Sequence, residues 1–112
     1  MKNTDKIKSN VVEFVTFKLK EGVTEQQFLN ASDELNANFL SLQKGYINRK
    51  LIREENIWAD IVLWETIDDA MNAMNVAQQS VVVESCPDYF EYFRLMEESS
   101  CEIKHLTVVK NY

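Results

Sequence analysis

Residues 57 to 64, Ile57-Trp58-Ala59-Asp60-Ile61-Val62-Leu63-Trp64, constrain the fold most, because at a strand's period of two both of their faces are apolar. One parity holds Ile57, Ala59, Ile61 and Leu63; the other holds Trp58, Asp60, Val62 and Trp64. A strand built this way needs cover on both sides. Residues 11 to 19 repeat the pattern, with Val12 and Phe14 on one face and Val11, Glu13, Val15 and Phe17 on the other. A chain of 112 residues suits one domain and buries about two thirds of the surface that it would expose unfolded. Its helices can cover one face of a sheet. The other face finds cover most simply on a second copy of the chain, so a homodimer is expected.

Apolar residues make up 46% and charged residues 27%, the balance of a globular domain rather than of a disordered chain. The 18 acidic and 12 basic side chains leave a net charge of -6, which repels phosphate backbones and anionic lipid and argues against nucleic acid or a membrane as partner. The opening Met1-Lys2-Asn3-Thr4-Asp5-Lys6 is polar, no signal-peptide core follows, and nothing approaches the roughly 20 apolar residues of a membrane span. The expected compartment is the cytoplasm. There, Cys86 and Cys101 are read as free thiols. One histidine and two dispersed cysteines supply too few ligands for a structural metal site.

Glycine and proline are sparse and fall at element ends: Gly22 after a strand from about Val11 to Lys20, Gly45 after a helix, Pro87 at the start of a short helix. In the first helix Thr24 and Gln27 form a capping-box pattern, and Val23 and Phe28 take the positions of a hydrophobic staple. Phe28, Ala31, Leu35, Phe39 and Leu42 then mark its buried stripe. Tyr46 to Arg53 and Ile57 to Trp64 read as an antiparallel hairpin. Thr66 caps a second helix, with Asp68 and Asp69 in its first turn and a thin stripe of Ala70, Ala73, Met74 and Ala77. Residues 80 to 84 are β-branched and leave the end of that helix open. Ser85 to Asp88 restart a helix that carries Tyr89, Phe90, Phe93 and Met96 inward, and a fourth strand runs from about Glu102 to Val109.

The order β-α-β-β-α-(α)-β is that of an α+β, ferredoxin-like fold with a four-stranded antiparallel sheet. Right-handed crossovers put the helices on one side, leaving the parity of Trp58 and Trp64 expected bare in a single subunit. The domain spans 1 to 112, with residues 1 to 9 expected as a flexible segment.

The strand Val11 to Val23, the turn Gly45-Tyr46-Ile47-Asn48-Arg49 and the run Trp58 to Thr66 followed by an alanine-rich helix resemble the dimeric α/β-barrel superfamily, and within it small domains of the antibiotic-biosynthesis-monooxygenase type. The likeness covers roughly Val11 to Val109. It implies two sheets facing one another across a dimer, and a function drawn from a wide set, since members include cofactor-independent monooxygenases, haem degraders, lactone isomerases and proteins without known activity. In the cofactor-independent members the deprotonated substrate supplies the electrons, so the protein binds, desolvates and takes a proton. The haem-degrading relatives carry their ligand histidine on the second helical region, and Ile67 to Met96 contains none, so that role does not transfer. The glycine-rich arginine loop of acylphosphatases and the basic aromatic motif of RNA-recognition domains are both missing.

Asp60 interrupts an apolar face, and a carboxylate destined for burial must be paired or functional. Arg49 on the hairpin is its expected partner, and a parallel pairing of the first and third strands brings Glu13 near it. Crowded carboxylates there could raise one pKa into a range useful for proton abstraction, or serve only as an ion-pair network. His105, the sole histidine, is a candidate base on the fourth strand or a simple hydrogen-bonded strand residue. Asp60 and His105 are thus the candidate catalytic residues, and Glu13, Phe17, Arg49, Trp58 and Trp64 the candidate lining of a site for an apolar or aromatic small molecule between the sheets, without cofactor or metal. The alternative is a structural or stress-associated homodimer filled by its own side chains.

Overall fold

Two helical crossovers, each joining a pair of parallel, non-adjacent strands, organise the chain in the computed structural model, which describes residues 9–79 and 87–112, those from 87 to 90 by their backbone only. The elements are β1 (Val11–Phe17), α1 (Glu25–Asn38), a 3-10 turn (Leu40–Leu42), β2 (Tyr46–Glu54), β3 (Ile57–Trp64), α2 (Ile67–Ala77), α3 (Pro87–Arg94), a second 3-10 turn (Glu98–Ser100) and β4 (Glu102–Thr107). They form one sheet of order β2-β3-β1-β4. Every pairing is antiparallel. This is the ferredoxin-like α+β fold expected from the element order. Residues 1–8 and 80–86 lie outside the described residues, and with them most of the expected N-terminal segment, the β-branched stretch and Cys86.

The helix starts follow their side chains. Thr24 Oγ1 accepts from Gln27 N–H at 3.0 Å and Thr66 Oγ1 from Asp69 N–H at 3.0 Å, caps worth about 1 kcal/mol each. The end of α1 differs from the expected stripe. Phe28, Ala31 and Leu35 are buried, but the helix stops at Asn38, and Leu42, turned out by the 3-10 turn, is 72% exposed. Gly45 follows at φ +86, and a Cβ there would collide with the Asp69 side chain, so only glycine fits this turn.

The two faces of the sheet are the reverse of the sequence expectation. The register aligns Val11, Glu13, Val15 and Phe17 of β1 with Trp64, Val62, Asp60 and Trp58 of β3. This face packs against the helices: Trp58 is 6% exposed, Trp64 1% and Phe17 1%. The reason is volume, since the stripe of α2 is alanine (Ala70, Ala73, Ala77, all buried) and leaves a gap beneath it that large sheet residues must fill. Phe17, Phe28 and Trp58 form the main aromatic cluster, with Phe28 and Trp58 centroids 5.1 Å apart. Burial of Phe17 and Phe28 contributes about 1.5–3 kcal/mol each. The other face, which no helix covers among the described residues, carries Val12, Phe14, Ala59, Ile61 and Leu63 at its centre, with Ile52 and Leu106 exposed on the outer strands.

On α3 the inward residue is Tyr92, 1% exposed, with Leu95 and Met96 beyond it. Phe93, expected in the core, is 44% exposed. The side chains of Tyr89 and Phe90 lie outside the described residues. Among the described residues no helix is long and apolar enough to cross a membrane.

Candidate functional site

The helix-covered face does not close completely. Small residues on α2 facing Trp64 and Val62 leave a cavity of about 300 Å³ between sheet and helices. Its apolar wall includes Leu35, Leu40, Val62, Trp64, Met74 and Phe93, and its polar groups include Glu13, Asp60 and Tyr92. This cavity lies within one subunit on the helix side, whereas the sequence pointed to a site between the two sheets of a dimer. The difference follows from the exchange of faces.

Both carboxylate oxygens of Asp60 are hydrogen-bonded. Arg49 Nε donates to Oδ1 at 2.9 Å and Arg49 Nη2 to Oδ2 at 3.1 Å, while the Tyr92 hydroxyl donates to Oδ2 at 2.6 Å. The guanidinium is itself 94% buried by side chain, with 6% exposed, and its Nη1 reaches Ser32 O and Asn36 Oδ1 on α1, both at 3.3 Å. It also lies 5.3 Å from the centre of the Tyr92 ring. Burial works against the charged guanidinium, but the Asp60 carboxylate outweighs it and the Arg49 pKa rises. Burial and the same carboxylate push the Tyr92 hydroxyl well above the ordinary tyrosine value, so it stays a donor. The cluster fastens β2, β3, α1 and α3 together.

Glu13 is differently placed. The sequence expected it to approach Asp60 through parallel pairing; the strands are antiparallel, and Glu13 faces Val62 on β3 and His105 on β4. His105 Nε2 lies 3.4 Å from Glu13 Oε1, within ion-pair range but without the alignment of a hydrogen bond. The Trp64 indole N–H is close enough to favour the carboxylate slightly, also without standard hydrogen-bond geometry. Burial raises the Glu13 carboxyl above its ordinary value, His105 pulls it back, and the charge of Asp60 adds to the rise.

Of the residues singled out in the sequence, Glu13, Asp60 and Trp64 border the cavity together. Arg49 stands behind Asp60, facing a groove against α1 with Ser32 and Asn36. Phe17 and Trp58 belong to the packed aromatic cluster, their rings 6.4 Å apart, and do not reach the cavity. His105 opens instead on a separate surface cleft with Ser9, Thr66 and Asp68. Sequence reasoning missed the hydroxyl of Tyr92 as the partner of Asp60. The available signal was its polar tip within an aromatic helix, since a buried tyrosine hydroxyl seeks an acceptor.

No protein-family model matches the chain. No curated protein matches it either. Solved structures do. A variant of SnoaB, a cofactor-independent oxygenase from Streptomyces nogalater, is 19% identical and superposes with a TM-score of 0.69 over 92% of this chain and 96% of its own. A provisionally named antibiotic biosynthesis monooxygenase from Bordetella bronchiseptica is 18% identical, with a TM-score of 0.66 over 92% and 100%. Another from Caulobacter crescentus is 15% identical, with a TM-score of 0.66 over 93% of each chain. At these identities the likeness is one of fold, and the fold is that of antibiotic-biosynthesis-monooxygenase-like proteins.

Proposed function

We propose that this chain binds an apolar, aromatic small molecule in the helix-side cavity and oxidises it with molecular oxygen, without a bound cofactor, as a homodimer. The observation that carries this reading is the cavity itself: about 300 Å³, mostly apolar, and bordered by a carboxyl whose ordinary pKa burial has raised. That volume is at the small end of ligand pockets and suits a flat molecule of two or three rings. A fold shared with a cofactor-independent oxygenase adds support.

The chemistry asks little of the protein. An aromatic ketone with an acidic methylene loses a proton to a carboxylate, and the resulting carbanion gives its electrons to oxygen. One oxygen atom ends in the new carbonyl, and the other leaves as water with the two methylene hydrogens. The chain's tasks are to hold the ring, exclude water and accept the proton. Asp60, with three donors on its two oxygens, is a poor acceptor; Glu13 is the better one, and Trp64 the wall against which a ring lies.

The test uses anthrone, a three-ring ketone with an acidic methylene, followed by oxygen uptake and appearance of the quinone. Wild-type protein should accelerate the reaction, and Glu13→Gln should lose about 100-fold or more of the rate. A wild-type rate equal to that of buffer would remove the oxidation. The dimer is supported by the apolar centre of the uncovered face, Val12, Phe14, Ala59, Ile61 and Leu63. Sedimentation should give a dimer at micromolar concentration and a monomer for Phe14→Glu. The rival, a structural homodimer without chemistry, draws on that same face and stands if the chain neither retains a ligand in native mass spectrometry nor turns anthrone over.

A further inference from the structure

We propose that Glu13 and His105 together form the exit by which a proton taken from the cavity reaches solvent, with His105 acting through Glu13 rather than on the ligand. This rests on the reading of the cavity as an oxidation site and names the route its proton takes. Three observations carry it. Glu13 borders the cavity, whereas His105 does not. His105 borders a second cleft of about 480 Å³ with Ser9, Val11, Thr66 and Asp68, at the surface beside the start of α2. The register of β1 and β4 sets the two residues directly opposite, on the same face, with Oε1 and Nε2 3.4 Å apart. The pair spans the wall between the two spaces.

A merely structural ion pair of this kind has no need of two separate openings, and with side chains only 19% exposed for Glu13 and 21% for His105 the desolvation of the two groups offsets much of their attraction. As a relay the arrangement is complete. The ligand C–H bond breaks toward Glu13, giving a carbanion and a neutral carboxyl. A small side-chain rotation closes the gap, and the carboxyl proton passes to neutral His105, which restores the carboxylate. The imidazolium then loses the proton to water in the cleft. Asp60 is the neighbouring acid on the cavity side, already held by Arg49 and Tyr92, and Asp68 the acid that lines the cleft.

The experiment takes the full chain with anthrone and measures turnover against pH. His105→Gln should lower kcat about tenfold with KM unchanged, and free imidazole should restore turnover in His105→Ala by entering the emptied cleft. Because His105 pulls the Glu13 carboxyl down, its removal should also move the Glu13 midpoint upward, seen by carboxyl 13C NMR without any substrate. Turnover within twofold of wild type, absence of imidazole rescue, or a Glu13 midpoint indifferent to His105 overturns the relay alone. Loss of anthrone oxidation in the wild-type chain overturns the oxidation reading and the relay with it.

Discussion

Asp60 and Glu13 interrupt the same apolar sheet face and border the same cavity, yet their surroundings are opposite in kind. Asp60 meets a bidentate guanidinium and a phenol, and those partners are themselves anchored on two helices. Glu13 meets one imidazole at a loose distance and an indole N–H that is not aligned to it. A carboxylate that accepts three hydrogen bonds from a buried cation and a phenol holds structure together and has little left to offer a ligand. A carboxylate that is buried but incompletely satisfied keeps a raised pKa and an unspent acceptor, which is what proton transfer requires. Of two acids in one pocket, the better-bonded one is thus the poorer candidate for chemistry.

The largest effect that can break this contrast comes from Arg49. Arg49→Met removes the cation while keeping most of the volume, leaving Asp60 buried with only Tyr92. The expected loss is about 3–5 kcal/mol in urea denaturation, because the cost is that of a stranded charge rather than of one contact. A loss under about 1 kcal/mol would show that Asp60 has access to water and that the two acids are alike.

Next comes Tyr92→Phe, which withdraws one donor from Asp60 and should cost about 1–3 kcal/mol. It also carries a pH signature. The Tyr92 pKa in the fold lies well above the ordinary 10.0, so the unfolded chain sheds that proton first. Stability in the wild type should therefore fall as pH rises past 10.0 toward the folded value, and the phenylalanine variant should lack that part of the decline. An identical alkaline slope in both proteins would detach Tyr92 from the cluster.

The sequence made some of this legible and hid the rest for physical reasons. Alternation in residues 57 to 64 reveals a strand with two apolar faces, and hairpin geometry suffices to pair Arg49 with Asp60. Alternation is silent on which face the helices take. That choice depends on volumes matched across the gap, with Ala70, Ala73 and Ala77 admitting Trp64, and it sent the tryptophans inward against expectation. A similar limit applies to α3, where one step of helical phase exchanged Phe93 for Tyr92. The opposition of Glu13 and His105, 92 positions apart, depends on the register of β1 with β4, and nothing local in either strand announces it.

The smallest expected effect on stability, and the sharpest in sign, belongs to Glu13→Gln. The Glu13 carboxyl in the fold titrates above its ordinary 4.5, chiefly because burial disfavours the charge. Between 4.5 and that folded value the unfolded chain is ionised while the folded chain still holds the proton, so wild-type stability declines as pH climbs through this window. Glutamine cannot ionise and should abolish the decline. At pH 7 the variant should then be no less stable than the wild type, although it loses the proposed acceptor. Stability held while anthrone turnover collapses is the pattern of a residue kept for chemistry against the interest of the fold. If Glu13→Gln instead destabilises the chain as severely as Arg49→Met, Glu13 is a second structural carboxylate, and the distinction between the two acids is lost.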